Sequence, residues 1–435
     1  MAKFEAQWAK DKIMTDKKSD LNINRIMKDT LAVILAGGRG SRLIQLSQSR
    51  SKPATPFGGK FRIIDFPLSN CINSGIRKIG VATQYKAHTL IQHLQNGWGF
   101  LRAELNEFVE IWPAQQQTND GSWYRGTADA VFQNLNTIKE HNPVYVLVLA
   151  ADHIYKQDYS RLIRHHVKSG ADITVSCIEV PAQDATWLGV VDADKDGNIK
   201  GFVNKPDAPI TLPGRPDTAL ASMGIYVFKA EFLYEQLGRD HDKVESTNDF
   251  SRDVMPYLVG RCKMIAHPFS NSCVITEKQT ETYWRDIGTA DAYWQANMDL
   301  TTVTPSLNLY DQDWPIWTLQ AQLPAAKFVF DDDDRRGLAI DSVISSGCII
   351  SGGTVRRSLL FNNVRINSFC VVEDSVILPN GDVGRNATVK KAIIDVGSRI
   401  PDGLEIGVDP IADAKRFYVT PSGITIVTKS MLESL

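Results

Sequence analysis

From residue 343 onward, branched aliphatic residues return every six positions. Val343, Ile349 and Val355 make one run, Val371, Ile377, Val383 and Val389 a second, and Ile394, Ile400 and Ile406 a third. Glycine, serine and asparagine fill the gaps. An α-helix repeats at about 3.6 residues and a half-buried strand at about two, so neither carries this beat. A parallel β-helix does, with one aliphatic per face stacked on the next coil. The competing reading is coincidence among short strands, and four consecutive hits weigh against it. Such a solenoid does not easily cap its own ends, so association with another surface is expected.

The preceding part of the chain has a different texture. From residue 30 to about 300, short apolar runs such as Lys78 to Thr83, Val144 to Ala150 and Ile173 to Val180 alternate with amphipathic stretches such as Tyr159 to Lys168. This pattern predicts an α/β domain, a mostly parallel sheet wrapped by helices, with ligands beyond the carboxyl ends of the strands. The expected division is a polar tail at 1–29, a catalytic domain at 30–304, a linker at 305–337 and a β-helix at 338–435. The acidic run Asp331 to Asp334, followed by Arg335 and Arg336, reads as solvated linker because it lacks the spaced ligands of a calcium loop.

Charge sets a limit on partners. With 48 lysines and arginines against 50 aspartates and glutamates, no global field draws nucleic acid or membrane. Six scattered cysteines show no zinc spacing and read as buried thiols of a reducing cytosol. Residues 1–29 lack the apolar core of a signal peptide, and no run approaches membrane-spanning length. A cytoplasmic protein is expected.

Any affinity for phosphate must therefore be local. The apolar run Leu31 to Ala36 leads into Gly37, Gly38, Arg39, Gly40 and Arg42, with Lys52 ten residues on and held before Pro53. Glycines let backbone N–H groups approach an anion, and clustered cations neutralise a polyphosphate. The run matches neither the P-loop nor the dinucleotide fingerprint. Glycine alone would equally suit any strand-to-helix turn; the cations favour a triphosphate loop. Pro53 is expected to bias Lys52 toward extended backbone.

Four further features carry chemistry. Asp152 follows the strand ending at Ala151, and Asp286 lies in Tyr-Trp-Arg-Asp-Ile-Gly-Thr; converging, they would hold Mg²⁺, and apart they would serve as a turn cap and as an ion-pair partner of Arg285. Lys205 precedes Pro206. The segment Trp123 to Ala130 suits a nucleoside-binding edge or a tight helix N-terminus.

Taken together, Leu-Ala-Gly-Gly-Arg-Gly-Ser-Arg-Leu, Phe-Gly-Gly-Lys-Phe-Arg-Ile-Ile-Asp-Phe, Leu-Ser-Asn-Cys-Ile-Asn-Ser-Gly-Ile-Arg, Trp-Tyr-Arg-Gly-Thr-Ala-Asp-Ala, Asp-His-Ile-Tyr-Lys-Gln-Asp-Tyr, Ala-Ser-Met-Gly-Ile-Tyr-Val-Phe and Tyr-Trp-Arg-Asp-Ile-Gly-Thr resemble the bacterial ADP-glucose pyrophosphorylases of the sugar nucleotidyltransferase superfamily. The resemblance covers almost all of residues 30–435. It implies a Rossmann-like nucleotidyltransferase domain followed by a left-handed parallel β-helix. It also implies Mg²⁺-dependent synthesis of ADP-glucose from ATP and glucose 1-phosphate for glycogen formation. The implied catalytic residues are Arg42, Lys52, Asp152 and Lys205. Leu35, Gly37, Gly38, Gln84, Tyr124 and Gly126 would meet ATP. Lys205, Ser222, Tyr226, Asp249 and Trp284 would surround glucose 1-phosphate, with Asp152 and Asp286 on the metal. Arg50, Arg62, Gln116, Trp123, Arg385, Lys415 and Arg416 would serve regulation by small anions. A homotetramer is implied, with a paralogous subunit as a further partner.

The pattern departs from the family at several places. Ser49, Pro56 and Val419 replace residues that are often basic, so activation by fructose bisphosphate is expected to be weak or altered. Asn204 stands where glutamate is usual and Ala151 where glycine is usual. Two alternatives remain open on this reading: a weakly active regulatory paralogue, and a pyrophosphorylase for another nucleotide sugar. An acyltransferase on the solenoid is disfavoured, because residues 338–435 contain no histidine.

Overall fold

The computed structural model describes residues 23–38, 43–114, 123–275, 281–332 and 334–435. The catalytic part is organised by strands β1 (Thr30–Ala36), β2 (Lys78–Thr83), β3 (Phe108–Pro113), β4 (Tyr145–Ala150), β5 (His153–Tyr155), β6 (Ile173–Pro181), β7 (Gly189–Ala193), β8 (Ile199–Asn204), β9 (Arg215–Lys229), β10 (Met264–Pro268) and β11 (Trp284–Asp286). The order β3-β2-β1-β4 is parallel throughout, in register from Leu31 opposite Lys78 and Val146. β1, β2 and β4 are buried apolar runs, as a sheet covered on both faces requires, whereas the edge strand β3 is only half-buried and carries Glu110.

Beyond β4 the sheet changes sense. The long strand β9 runs antiparallel to β4, β6 and β7, so the sheet is mixed rather than parallel to its edge. A register shift between Ser222 and Tyr226 interrupts its pairing with β6, and Gly224 supplies the left-handed φ of 68° there.

The C-terminal part is a three-sided parallel solenoid, with strands on its three faces in separate five- and six-stranded sheets. The six-residue beat is one face of a coil, and a full coil here takes 16 or 17 residues. Val355 lies beside Val372, which lies beside Val389 and then Ile406, so successive coils are 17 residues apart. One side of each coil is a residue short of three hexads, and the phase slips accordingly. Val372 and Ile350, not Val371 and Ile349, are the fully buried members; Ile377, Val383, Val389, Ile394, Ile400 and Ile406 do point inward. Corners stack with the same period. Asn363 and Asn380 adopt left-handed φ of 61° and 62°, Gly397 follows at 68°, and Asn363 Nδ2 donates to Asn380 Oδ1 at 2.9 Å. The asparagines of the sequence pattern are corner residues.

The solenoid strands begin at Lys327–Val329, which pairs with Ile349–Ser351 inside the stretch read as linker. Asp331–Asp332 and Arg335–Arg336 form a small hairpin with ion pairs Asp331–Arg336 and Asp332–Arg335; Asp333 lies outside the described residues. Upstream, the connection is stitched to helix α1 (Asp65–Asn73). Trp314 Nε1 donates to Asn70 Oδ1 at 3.0 Å, the Trp317 amide to Ser69 Oγ at 2.8 Å, and Thr318 Oγ1 to the buried Asp65 Oδ2 at 2.6 Å. One apolar core joins the halves, packing Leu46, Phe57, Phe66, Ile154, Tyr293 and Ile287 against Leu359, Val376 and Ile393. Among the described residues no helix is long and apolar enough to cross a membrane.

Candidate active site

At the carboxyl ends of β1 and β4 a cleft of about 490 Å³ opens. Leu35, Gly37, Gly38, Gln84, Tyr124 and Gly126 line one side, and Lys52, Asp152, Lys205 and Asp249 complete it. All six residues expected to meet ATP therefore share one surface. Gly37 lies against Gln84, where a Cβ would sit 3.2 Å from the glutamine Cβ. Gly126 caps helix α2 (Thr127–Phe132); a Cβ there would run into the carbonyl oxygens of Thr247 and Asn248. The segment is thus both a cleft edge and a tight helix start. Tyr124 is fixed by its hydroxyl, which donates to Trp112 O at 3.2 Å and accepts from Asn134 Nδ2 at 2.9 Å.

The charged centre is assembled across the sequence. Strand β11 pairs antiparallel with β5, setting Asp286 opposite His153 and Trp284 opposite Tyr155. The pairing brings Asp286 beside Asp152, which precedes β5. Lys52 Nζ lies 3.0 Å from Asp152 Oδ2 and 3.2 Å from Asp286 Oδ1, and Lys52 is only 6 % exposed. Burial alone pulls its ammonium pKa down, but the two carboxylate charges and the hydrogen bonds to them outweigh it, and the pKa ends above its ordinary value. Lys52 opens a 3-10 turn with Pro53 and Ala54, closed by the Thr55 amide on Lys52 O at 3.0 Å. The extended residue is Ser51, so the expected backbone bias falls one position earlier than predicted.

The two aspartates also fit a divalent cation. Their carboxylates and the His153 ring offer ligand atoms all within 4.8 Å of one another, a hard-oxygen set suited to Mg²⁺ with one imidazole at its edge. His153 Nε2 lies 3.3 Å from Asp152 Oδ1 and its ring 4.9 Å from that of Trp284. The sequence reading missed His153, although its place directly after Asp152 was the available signal.

On the remaining wall, Lys205 has a left-handed φ of 49° and its amide donates to Leu188 O at 2.9 Å. A residue before proline is strained in the helical region, and this geometry aims the side chain into the cleft lining. Asp249 lines the same wall. Ser222, Tyr226 and Trp284 do not line the cleft. Tyr226 is buried, its hydroxyl 3.4 Å from Ser222 Oγ and 3.2 Å from Ser251 Oγ, with its pKa raised chiefly by burial. Ser222 and Tyr226 support this wall from behind. Arg42 and Gln116 lie outside the described residues.

A second cavity, about 610 Å³, lies between the catalytic part and the solenoid. Arg50 and Arg62 line it with Pro56, Asp395, Thr428 and Lys429. Arg50 Nη1 is held by Asp395 Oδ1 at 2.8 Å, a pair nearly closed to solvent. Arg62 donates to the Ala54 and Thr89 carbonyls; burial, opposed by Asp65 and reinforced by Arg50, lowers its pKa. Of the basic residues implied to serve regulation, only Arg50 and Arg62 line this cavity. Arg385 sits 5.5 Å from the Phe369 ring, Arg416 bonds Glu405 O and Asp413 Oδ1, and Lys415 caps the helix Pro410–Ala414; none of the three lines the cavity. Trp123 is 58 % exposed and lines neither cavity. Lys429 and Asp395, both missed in the sequence, take part instead.

The Nucleotidyl transferase family model matches residues 31–303, and the GlmU-like C-terminal hexapeptide model matches residues 324–427. The fold and its paired-carboxylate cleft thus define a nucleotidyltransferase joined to a hexapeptide solenoid. The chain is 62 % identical over 415 residues to a glucose-1-phosphate adenylyltransferase of Rhodospirillum rubrum, covering 95 % of this chain and 98 % of the relative. It is 59 % identical to that of Paramagnetospirillum magneticum (96 % and 97 % covered) and 59 % identical to that of Nitrosospira multiformis (94 % and 96 % covered). The chain belongs to the glucose-1-phosphate adenylyltransferase family.

Proposed function

We propose that the cleft transfers the adenylyl group of ATP to glucose 1-phosphate, forming ADP-glucose and releasing pyrophosphate. The observation that carries this reading is the meeting of Lys52, Asp152 and Asp286, more than 230 residues apart in sequence at the extremes, beside the glycine turn and opposite Lys205.

Charge dictates the mechanism. A sugar phosphate is already anionic near neutrality, so it needs no general base to attack. One of its phosphate oxygens forms a bond to the α-phosphorus as the bond to the β-phosphate bridging oxygen breaks, and the electron pair leaves with pyrophosphate. The barrier lies in bringing two anions together, and positioning plus cationic neutralisation lowers it. Lys52 places an ammonium where the triphosphate turn meets the carboxylates. Lys205 presents a second ammonium from the Asp249 wall, and Arg42 supplies a third cation by the resemblance. Asp152 and Asp286 would hold Mg²⁺, which would supply charge neutralisation for the departing pyrophosphate.

Regulation by small phosphorylated anions belongs, on this proposal, to the interdomain cavity with Arg50, Arg62 and Lys429. The protein acts as a cytoplasmic homotetramer in glucan synthesis. The test is pyrophosphate release from purified protein with Mg²⁺, glucose 1-phosphate and each nucleoside triphosphate in turn. ATP-selective turnover supports the proposal. Absence of turnover with every triphosphate would favour a regulatory paralogue, and preference for another triphosphate a different nucleotide sugar.

A further inference from the structure

Two walls of the cleft are joined by one threonine hydroxyl and one backbone carbonyl. Thr127 begins α2 directly after Gly126 on the nucleotide side, and Asp249 stands on the wall that carries Lys205. Thr127 Oγ1 donates to Asp249 Oδ2 at 3.0 Å and accepts the Phe250 amide at 2.9 Å. The other carboxylate oxygen, Oδ1, accepts the Ser251 and Arg252 amides at 2.9 and 3.1 Å and caps the π-helical turn Phe250–Val254. Just before it, Asn248 has a left-handed φ of 53°, and its carbonyl accepts the Ala128 and Asp129 amides at 2.8 and 3.2 Å. The segment around Asp249 is therefore pinned to the first turn of α2 from both of its edges.

We propose that Thr127 is a positioning residue for glucose 1-phosphate, holding the Asp249 carboxylate in the one orientation that leaves an Oδ2 lone pair facing the cleft. The inference rests on Asp249 meeting the sugar. A carboxylate has about four acceptor sites; here the two amides engage Oδ1 and Thr127 engages one site of Oδ2, so the remaining Oδ2 site suits a sugar hydroxyl. Without the hydroxyl the carboxylate still caps its turn through Oδ1, but Oδ2 swings about that anchor. Orientation is then no longer set before the sugar arrives, and binding supplies the ordering instead. Thr127 also connects the sugar wall to the helix whose preceding glycine borders the nucleotide. No Thr127 atom is asked to touch the reacting phosphorus.

Thr127→Val removes the hydroxyl at nearly constant shape, and Thr127→Ser keeps it. ATP and glucose 1-phosphate are varied separately, with a melting curve for each variant because valine also strips the Phe250 amide of its acceptor. The expected result for valine is KM for glucose 1-phosphate raised about tenfold, KM for ATP within about twofold of wild type and kcat reduced by less than about threefold. Serine should bring all three back to within about twofold of wild type. Equal rises in both KM values, a lowered melting temperature alone, or a serine variant as impaired as valine would each overturn the proposal. Asp249→Asn separates the two layers of the argument. If it leaves KM for glucose 1-phosphate unchanged, the sugar assignment of Asp249 falls and the proposal with it. If it raises that KM while Thr127→Val does not, only the role of Thr127 is lost.

Discussion

Replacing Lys52 by methionine keeps most of the buried stem and removes the ammonium that faces Asp152 and Asp286 at 3.0 and 3.2 Å. At an effective dielectric constant of about 20, each of these attractions is about 5 kcal/mol before solvation is counted. Desolvation of the buried lysine offsets much of that, and the Asp152 side chain, 39 % exposed, is screened by solvent. A net stability loss of about 2 to 3 kcal/mol remains, smaller than the 3–5 kcal/mol typical of a fully buried pair. The two carboxylates would then face each other without a resident cation. Mg²⁺ should accordingly raise the melting temperature of Lys52→Met more than that of wild type. On the chemistry, losing one cation aimed at developing charge costs about 3 kcal/mol, or a kcat about a hundredfold lower. Pyrophosphate release and thermal melting with and without Mg²⁺ measure both effects. A variant with kcat within about threefold of wild type, or one whose melting responds to Mg²⁺ no more than wild type, would refute the role given to Lys52.

Gly126→Ala forces a Cβ against the Thr247 and Asn248 carbonyls, so α2 must shift; kcat/KM for ATP should fall at least about tenfold, and unchanged ATP kinetics would contradict the close approach. Asp395→Asn removes the partner of Arg50, leaving a guanidinium in the interdomain cavity for a soluble anion; inorganic phosphate should stabilise this variant more than wild type in a melting assay, and equal stabilisation would count against an anion site there. His166 and His267 are kept neutral in the fold, burial pushing them down to about 4 and about 3 from 6.5. Unfolded, both bind a proton below about pH 6.5, so stability is lost as pH falls from there toward about 4, at about 1.4 kcal/mol per pH unit for each histidine. A denaturant midpoint equal at about pH 7 and about pH 5 would exclude this.

The sequence made some of this molecule legible and concealed the rest for identifiable reasons. Strands such as β2 and β4 announce themselves because a sheet covered on both faces demands continuous apolar runs. The solenoid is visible because every coil repeats the same inward aliphatic, yet its full coil of 16 or 17 residues is hidden. Val371 and Val372 are chemically identical, and only the corner geometry decides which of them faces in. The glycine edge of the cleft was readable from local motifs, since Gly37, Gly38 and Gly126 line it where they stand in the sequence. Tyr226 lies in a stretch of β9 buried on both faces, so its motif alone does not tell a cleft residue from a core residue. The basic residues of the solenoid were least readable. Arg385, Lys415 and Arg416 read as anion-binding residues in the sequence, but Arg385 lies by the Phe369 ring and Lys415 and Arg416 end the helix Pro410–Ala414, away from the interdomain cavity. Asp395 gave no signal, because its meaning comes only from contact with Arg50, 345 residues earlier.

The β5–β11 pair that brings Asp152 and Asp286 together also faces the seam between the two halves. Ile154 and Ile287 follow His153 and Asp286 directly, and both are fully buried in the core shared with Leu359, Val376 and Ile393. A strand points successive side chains to opposite faces, so the aspartate face and the solenoid-facing side belong to one rigid unit. Trp294 Nε1 on the Asp374 carbonyl at 2.9 Å and Thr420 Oγ1 on Asp291 at 2.7 Å hold the solenoid to the helix Ala290–Met298, which follows β11. Arg50 joins the same seam through Asp395, only two residues before Lys52. A movement of the solenoid is therefore felt at both ends of the charged centre: through Ile154 and Ile287 at the carboxylates, and through Arg50 at the ammonium between them. A close-packed core transmits such a shift rather than absorbing it. The spacing of Lys52, Asp152 and Asp286 is thus a property of the two halves together.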